Sequence, residues 1–197
     1  MKRYVRMMLS LLAACVISGC NAVPGADVYD KPVDPYKPVS EEDLQFGECV
    51  ISLGDEVNVS GQGAWYKGND ILISEGGIYR ITGRYDSGAI NISTGDAVKL
   101  IFDNAEISNP DGYAIVSDAD KLILSSEGES TLTGSGGDHG NAVYSGSKLL
   151  IAGRGNMLIN NGVFSRGGIN FGRNVSTVCE IYSLDDGYVI YDSLHVF

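Results

Sequence analysis

The feature that most constrains the fold of this chain is a repeat of about 25 residues in its second half. Three short runs, "VKLIF" (98–102), "KLILS" (121–125) and "KLLIA" (148–152), align with a lysine in one column and a leucine behind it. A second column pairs a small residue or valine with a β-branched one at Ala89-Ile90, Ala114-Ile115, Ala142-Val143, Gly168-Ile169 and Val189-Ile190. The similar stretches "DGYAI" and "DGYVI" then fall three repeats apart. A period of this length is typical of a solenoid.

The repeats contain strand signals and no capped helical pattern. Short alternating runs such as "DILIS", "IYRITG" and "AINIS" are bounded by Gly, Asn, Asp or Ser. We therefore predict an all-β fold, a parallel β-helix that occupies residues 48–197 and has about six coils stacked about 4.8 Å apart. The alternative is a β-sandwich of antiparallel hairpins, for which "NNG" at 160–162 is an isolated signal.

The N-terminal 47 residues are predicted to lie outside this domain. Residues 1–20 combine a basic head with a short apolar run, which indicates a secretion signal. The sequence "ISGC", which ends at Cys20, resembles the cleavage box of bacterial lipoproteins, and this resemblance implies that Cys20 is lipidated. The alternative is an ordinary secretion signal with a chance cysteine. Residues 21–47 hold four of the five prolines and are predicted to form an extended linker. The chain is thus expected outside the cytoplasm, lipid-anchored to the envelope or surface of a bacterium.

The charge of the mature chain excludes some classes of partner. The signal contains three of the 14 basic residues, so 11 remain against 25 acidic ones, a net charge of −14. This excess argues against binding to nucleic acid and is compatible with bound cations. Cys49 and Cys179 lie several coils apart in the predicted fold, which is too far for a disulfide.

The order of these stretches carries a family resemblance. Gly77 to Gly83 reads G-x-Y-x-I-x-G, and "DNAEI" at 103–107 reads D-x-A-x-I. Residues 50–197 resemble the bacterial family of secreted carbohydrate-binding β-helix proteins. The resemblance implies a right-handed helix, bound calcium, and binding to plant polysaccharides such as pectin or cellulose. Unlike members of that family, the chain is predicted to stop in mid-coil at "SLHVF", so the β-helix is predicted to be truncated or covered by a partner at that end.

The turns are rich in oxygen ligands. Calcium takes six to eight oxygens from carboxylates, carbonyls and water, and stacked turns bring equivalent positions close together. The predicted calcium ligands are Asp103, Asp111, Asp118, Asp120, Asp138, Asp185 and Asp186. The alternative for each is an aspartate that bonds its own turn backbone.

Two further sets of side chains are predicted to contact a glycan. Lys99, Lys121 and Lys148 would form an outward ladder of like charges, which is unfavourable unless a polyanion such as a uronate chain lies along it. The alternative is a shifted register in which these lysines pair with nearby carboxylates. Tyr113 and Tyr188 share a repeat position and could stack on sugar rings, or could pack over the coil corners instead.

No catalytic constellation is apparent in the sequence. Arg154, Arg166 and Arg173 could act as bases of a lyase, but no carboxylate cluster accompanies them. We therefore predict a non-catalytic, surface-anchored protein that binds a pectin-like polyuronate or cellulose with the help of calcium. An adhesin or structural spacer is the first alternative, and a pectate-lyase-like enzyme is the second.

Overall fold

The computed structural model describes residues 48–172, 175–176, 179, 181–191 and 193–197. The predicted signal with Cys20, the linker over 21–47 and Arg173 lie outside the described residues. In this part of the chain no helix is long and apolar enough to cross a membrane.

The described residues form strands and no helix. The strands are β1 Cys49–Leu53, β2 Asn58–Ser60, β3 Ala64–Lys67, β4 Asp70–Ile73, β5 Gly77–Tyr85, β6 Ile90–Ile92, β7 Ala97–Asn109, β8 Ile115–Ser117, β9 Lys121–Ser126, β10 Glu129–Gly134, β11 Val143–Ser145, β12 Lys148–Gly153, β13 Asn156–Asn160, β14 Val163–Ser165, β15 Ile169–Phe171, β16 Tyr182–Leu184, β17 Gly187–Ile190 and β18 Leu194–Val196. Their short, alternately buried pattern confirms the all-β prediction.

The strands form three faces, and within each face strands of successive coils pair in parallel. The first face holds β1, β5, the start of β7, β9, β12 and β15. The second holds the ends of β5 and β7, then β10 and β13. The third holds β4, β6, β8, β11 and β14. The chain is therefore the predicted parallel β-solenoid, with about 25 residues per coil.

Strands β5 and β7 each run through the corner between the first and second faces. The register between them shifts at Thr82 and Gly83. Asn104 turns the corner in β7 with a φ of 53°, a left-handed conformation that asparagine tolerates better than most residues. The local bulge redirects the strand onto the next face without ending its pairing.

Apolar side chains of the three faces fill the interior. On the third face Ile71, Ile90, Ile115, Val143 and Val163 lie in register, and all are buried. The predicted column placed Gly168-Ile169 here, and that prediction was wrong. Ile169 instead pairs with Leu149 on the first face, because the chain reaches the third face earlier, after a connection of only two residues at 161–162.

A ladder of buried serines marks the corner between the third and first faces. Ser117, Ser145 and Ser165 are in register and fully buried. The Ser145 and Ser165 hydroxyls donate to the Ser147 carbonyl at 3.1 and 2.8 Å. Because buried hydroxyls are costly without partners, these bonds explain how the corner stays tight.

Antiparallel strands cover both ends of the solenoid. At the first coil β2 pairs with β1, and β3 pairs with β4. At the last coil β17 pairs with β14, β16 with β17, and β18 with β13. "DGYVI" therefore lies in a reversed strand and is not a third repeat of "DGYAI", which corrects the equivalence predicted from the sequence.

Gly187 lets β17 approach β14 closely. A Cβ at this position would come within 2.7 Å of the Ser165 carbonyl oxygen and 3.0 Å of Phe164 Cζ. We expect Gly187→Ala to lower the free energy of unfolding by about 1–3 kcal/mol, measured by urea denaturation. Gly95→Ala is the matched control, because a Cβ there meets nothing within 4 Å. Equal losses in the two variants would contradict this packing argument.

Candidate functional site

The structure distributes the predicted calcium ligands over separate corners. Asp118 and Asp120 lie between the third and first faces, and Asp111 and Asp138 in loops between the second and third. Asp185 and Asp186 form the exposed turn between β16 and β17. In the described segments no three His, Cys, Asp or Glu side chains gather to hold a metal ion. The aspartates as placed do not form a shared calcium site.

Asp103 and Asp111 have partners within the protein. Asp103 accepts a hydrogen bond of 2.8 Å from Asn104 Nδ2 and lies 3.5 Å from the Arg80 guanidinium. The backbone N–H of Asp111 donates to Asn109 Oδ1 at 3.3 Å. The Asp103 carboxylate is thus partnered by two side chains, whereas the Asp111 contact involves its backbone and not its carboxylate.

The predicted lysine ladder is only partly formed. Lys121 and Lys148 are paired in register on the first face. Lys99 is not in that column, because it pairs with Ile78 on one side and Ile123 on the other. The sequence alignment was wrong by two residues here, a shift that keeps Lys99 on the outer side because side chains alternate.

Lys99 belongs instead to a network of mixed charges. Arg80 contacts Glu48 and Glu127, each at 2.5 Å, and hydrogen bonds to Glu127 and then Glu48 raise the pKa of Arg80. Burial lowers the pKa of Lys99, and Arg80 adds to this while Glu127 and Glu48 oppose it. The cations of this outer surface are largely compensated, which weakens the case for a polyanion site there.

The two predicted tyrosines lie on opposite sides of the third face, Tyr113 where its strands begin and Tyr188 where they end. Tyr113 precedes β8 by two residues, whereas Tyr188 pairs with buried Ser165 at the far end of β14. Their predicted equivalence was wrong because β17 runs antiparallel. Tyr113 remains in the candidate site described next, and Tyr188 takes part in none of its ring contacts.

An aromatic surface covers the outer side of the third face near the last coil. We use this name for Tyr113, His139, Tyr144, Phe164, Tyr182 and Tyr191. Successive ring centroids along Tyr113–Tyr144–Phe164–His139–Tyr191–Tyr182 lie 5.6, 5.8, 5.6, 5.9 and 5.6 Å apart. Tyr144 and Phe164 stack at an interplanar angle of 16°. Tyr182 and Tyr191 are 43% and 42% exposed, so part of this surface faces solvent.

Strand register places three of these rings, Tyr144, Phe164 and Tyr182, in a longer outer row. The row consists of Trp65, Leu72, Asn91, Val116, Tyr144, Phe164, Val189 and Tyr182. It contains no charged residue, and exposed Trp65 stands at its other end. Seven strand spacings give it a length of about 34 Å along the solenoid axis.

The glycine-rich stretch "GSGGDHG" shapes one side of the aromatic surface. Gly136 and Gly137 lie directly against the Tyr113 ring, where a Cβ on either residue would overlap it. The turn closes through reciprocal backbone hydrogen bonds of 2.8 and 2.9 Å between Gly136 and Asn141. Asn141 in turn donates to the Asn161 carbonyl at 2.8 Å. This anchoring holds His139 over Phe164.

Sequence reasoning missed Phe164, Tyr182 and Tyr191. The signal for Phe164 was present, because "AIVS" (114–117), "AVYS" (142–145) and "GVFS" (162–165) share a pattern. The third residue of each pattern lies in the outer row. Aligning Val163 rather than Ile169 with Val143 would have revealed the stacked pair.

Charged and polar groups flank the aromatic surface. Arg166 lies with its guanidinium carbon 5.9 Å from the centroid of the Tyr144 ring. Asp118 is exposed two coils away at the same corner, with Gly146 between them. Burial, then Tyr144 and Asp138, raise the pKa of Tyr113. The surface thus combines flat rings with hydrogen-bonding groups at its edge, as small-ligand sites do.

A second, more polar concavity lies on the outer side of the second face. Its volume is about 350 Å³, and its side chains include Asn104, Glu106, Glu129, Thr131, Asn156 and Leu158. Glu106 is 3.4 Å from Arg84, and the Glu129 backbone N–H donates to Asn104 Oδ1 at 3.3 Å. It offers hydrogen bonds but no aromatic ring.

Comparison with known proteins places the solenoid in a family. A family model described as "Carbohydrate-binding domain-containing protein" matches residues 67–196. The chain belongs to this family. The match includes every ring of the aromatic surface and most of the polar concavity's face.

A solved structure has the same fold as this protein. It is described as the polysaccharide lyase-like protein from C. thermocellum, gadolinium derivative, with a TM-score of 0.53 and 22% sequence identity. The match covers 63% of this chain and 60% of that chain. No curated protein matches the chain.

Proposed function

We propose that this protein is a non-catalytic, surface-anchored polysaccharide-binding protein that takes an acidic or β-linked glycan, such as a pectin-like polyuronate or cellulose, on its aromatic surface. The observation that carries the proposal is the continuous contact of six rings on one outer face of a carbohydrate-binding family member. Sugar rings have an apolar face of C–H groups, and aromatic rings supply a flat apolar partner for it.

The geometry favours a glycan that lies along the solenoid axis. The outer row crosses eight strands without a charge. Phe164 and Val189 in this row are buried, so a glycan along it would contact the half-buried Tyr144 and the exposed Tyr182. Asn91 lies in the middle of the row, where its amide can bond sugar hydroxyls. Exposed rings at both ends, Trp65 and Tyr182, extend the contact beyond a single sugar.

Calcium and the lipid anchor complete the proposal. A calcium ion bridging surface carboxylates to those of an acidic polymer would reduce the repulsion expected from a mature protein of net charge −14. A carboxylate such as Asp118 or Asp138 needs no preformed cage for that role, because the polymer supplies part of the shell. Lipidation of Cys20 would hold the solenoid at the cell surface.

The test is retention of the purified mature protein on insoluble pectin and cellulose, with calcium and with a chelator. We expect retention on at least one polymer, stronger with calcium if the polymer is acidic. Absence of retention on both by folded protein would reject glycan binding and favour the adhesin or spacer. Release of unsaturated sugars, detected by their ultraviolet absorbance, would instead support the pectate-lyase-like alternative.

A further inference from the structure

Arg166 differs from the two arginines that are paired on other faces. Arg80 contacts Glu48 and Glu127, and Arg84 lies 2.9 Å from Asp86. Arg166 is exposed, and no ion pair within 4 Å links it to a carboxylate of the described residues. In an acidic protein, an exposed guanidinium without a carboxylate partner has all its donors available for a ligand.

The backbone holds Arg166 in place at the edge of the aromatic surface. Its N–H donates to the Ser145 carbonyl at 2.9 Å. Gly187 of the covering strand β17 approaches so closely that a Cβ there would lie 3.2 Å from Arg166 Cα. The side chain extends beside Tyr144, with the guanidinium carbon 5.9 Å from the ring centroid, within the range of a cation–π contact.

The two positions that precede Arg166 at this corner are a glycine and an aspartate. Gly146 occupies the equivalent position one coil earlier, and Asp118 the position before that. A Cβ on Gly146 would lie 2.9 Å from Asp118 Oδ1, so the Asp118 carboxylate extends over Gly146, yet it forms no ion pair with Arg166 within 4 Å. A sugar on Tyr144 that presents a carboxylate to Arg166 shares this corner with Asp118.

We propose that Arg166, held beside Tyr144, is the residue that recognises a sugar carboxylate and so makes this protein prefer a polyuronate to a neutral glycan. The inference rests on the proposed function, because it requires a glycan on the aromatic surface. Guanidinium and carboxylate form paired, charge-assisted hydrogen bonds in a fixed geometry. Asp118 lies at the same corner and Asp186 precedes the Gly187 that approaches Arg166; both carboxylates oppose binding of an anion, and neither forms an ion pair with Arg166 within 4 Å.

The experiment compares Arg166→Ala, Arg166→Lys and Arg84→Ala on polygalacturonate, on fully methyl-esterified polygalacturonate and on cellulose, each with calcium and in chelator. Arg84→Ala changes the net charge equally at an exposed arginine of the second face. We expect Arg166→Ala to weaken binding to polygalacturonate about three- to tenfold, and to leave binding to the ester unchanged. Arg166→Lys should restore part of the loss, and Arg84→Ala should match the wild type.

The outcomes separate this inference from the proposed function. Retention of the wild type on neutral polymers but not on polygalacturonate, neither with calcium nor in chelator, would reject the role of Arg166 and keep glycan binding. Equal losses for Arg166→Ala on the acidic and esterified polymers would show recognition of hydroxyls and also reject it. Equal losses of binding for Arg166→Ala and Arg84→Ala would show that only the net charge of the protein matters, and would reject the role of Arg166. Retention on no polymer would reject both proposals.

Discussion

Replacing Phe102 with alanine is expected to lower the free energy of unfolding by about 3–5 kcal/mol. Phe102 lies in β7 with no exposed surface, between Ile81 of the preceding coil and Ser126 of the next. Removing the ring leaves a cavity in the middle of a stack that repeats along the axis. The neighbouring coils are held by their backbone ladders and cannot collapse into it. Urea denaturation followed by circular dichroism measures the change.

Two variants make the Phe102 result interpretable. Phe102→Leu keeps an apolar side chain and should cost about half as much. Tyr66→Ala removes a ring that is 41% exposed and should cost about 1 kcal/mol or less. A loss below about 1 kcal/mol for Phe102→Ala would mean that the interior is not one continuous core. A change in the denaturant slope would show that the coils unfold separately.

The sequence was sufficient to predict the solenoid because its signal is repeated. Each coil needs the same alternation of apolar and polar residues and the same turns. An error in the interpretation of one repeat is therefore compensated by the signals of the other repeats. Leu122 and Leu149 were aligned correctly and are paired. Leu100 was placed with them but pairs with Leu124. A shift of two residues leaves every side chain on its correct side, so the fold prediction tolerates it.

The prediction of the candidate site is more sensitive than the prediction of the fold to errors in strand register and strand direction. The outer row is defined by which strand lies next to which, and Ile169 and Val163 look alike as sequence. What distinguishes them is the connection length, only two residues between β13 and β14. The reversal of β17 had no local signal either, because "DGYVI" is compatible with both directions. Tertiary pairing decided both points, and so the tyrosine pair was predicted wrongly.

The same physical reason explains why the aspartates did not predict one site. Each of Asp111, Asp118 and Asp138 suits a turn, and a solenoid has several turns per coil at different corners. Residue type alone therefore identifies turns, and only the coil geometry can say which turns share a corner. The calcium ligands remain a prediction for an ion shared with a polymer.

Replacing Tyr144 with alanine is expected to weaken polysaccharide binding at least about tenfold, or about 1.4 kcal/mol. Tyr144 contacts Tyr113 at 5.6 Å and Phe164 at 5.8 Å, and Arg166 lies beside it. Its loss separates Tyr113 from the other rings and removes the platform next to the guanidinium. Aromatic residues at the centre of a contact surface contribute the largest share of binding energy. Quantitative depletion onto the insoluble polymer measures the loss.

The Tyr144 result depends on two matched variants. Tyr144→Phe keeps the ring and should bind within about twofold of the wild type, since stacking needs no hydroxyl. Tyr66→Ala removes an exposed tyrosine whose ring contacts Tyr85 at 6.3 Å in another part of the solenoid, and it should bind normally. All three must unfold at similar denaturant concentrations. If folded Tyr144→Ala bound as tightly as the wild type, the glycan would have to lie elsewhere, and the polar concavity around Glu106 and Asn156 would be the surface to mutate next.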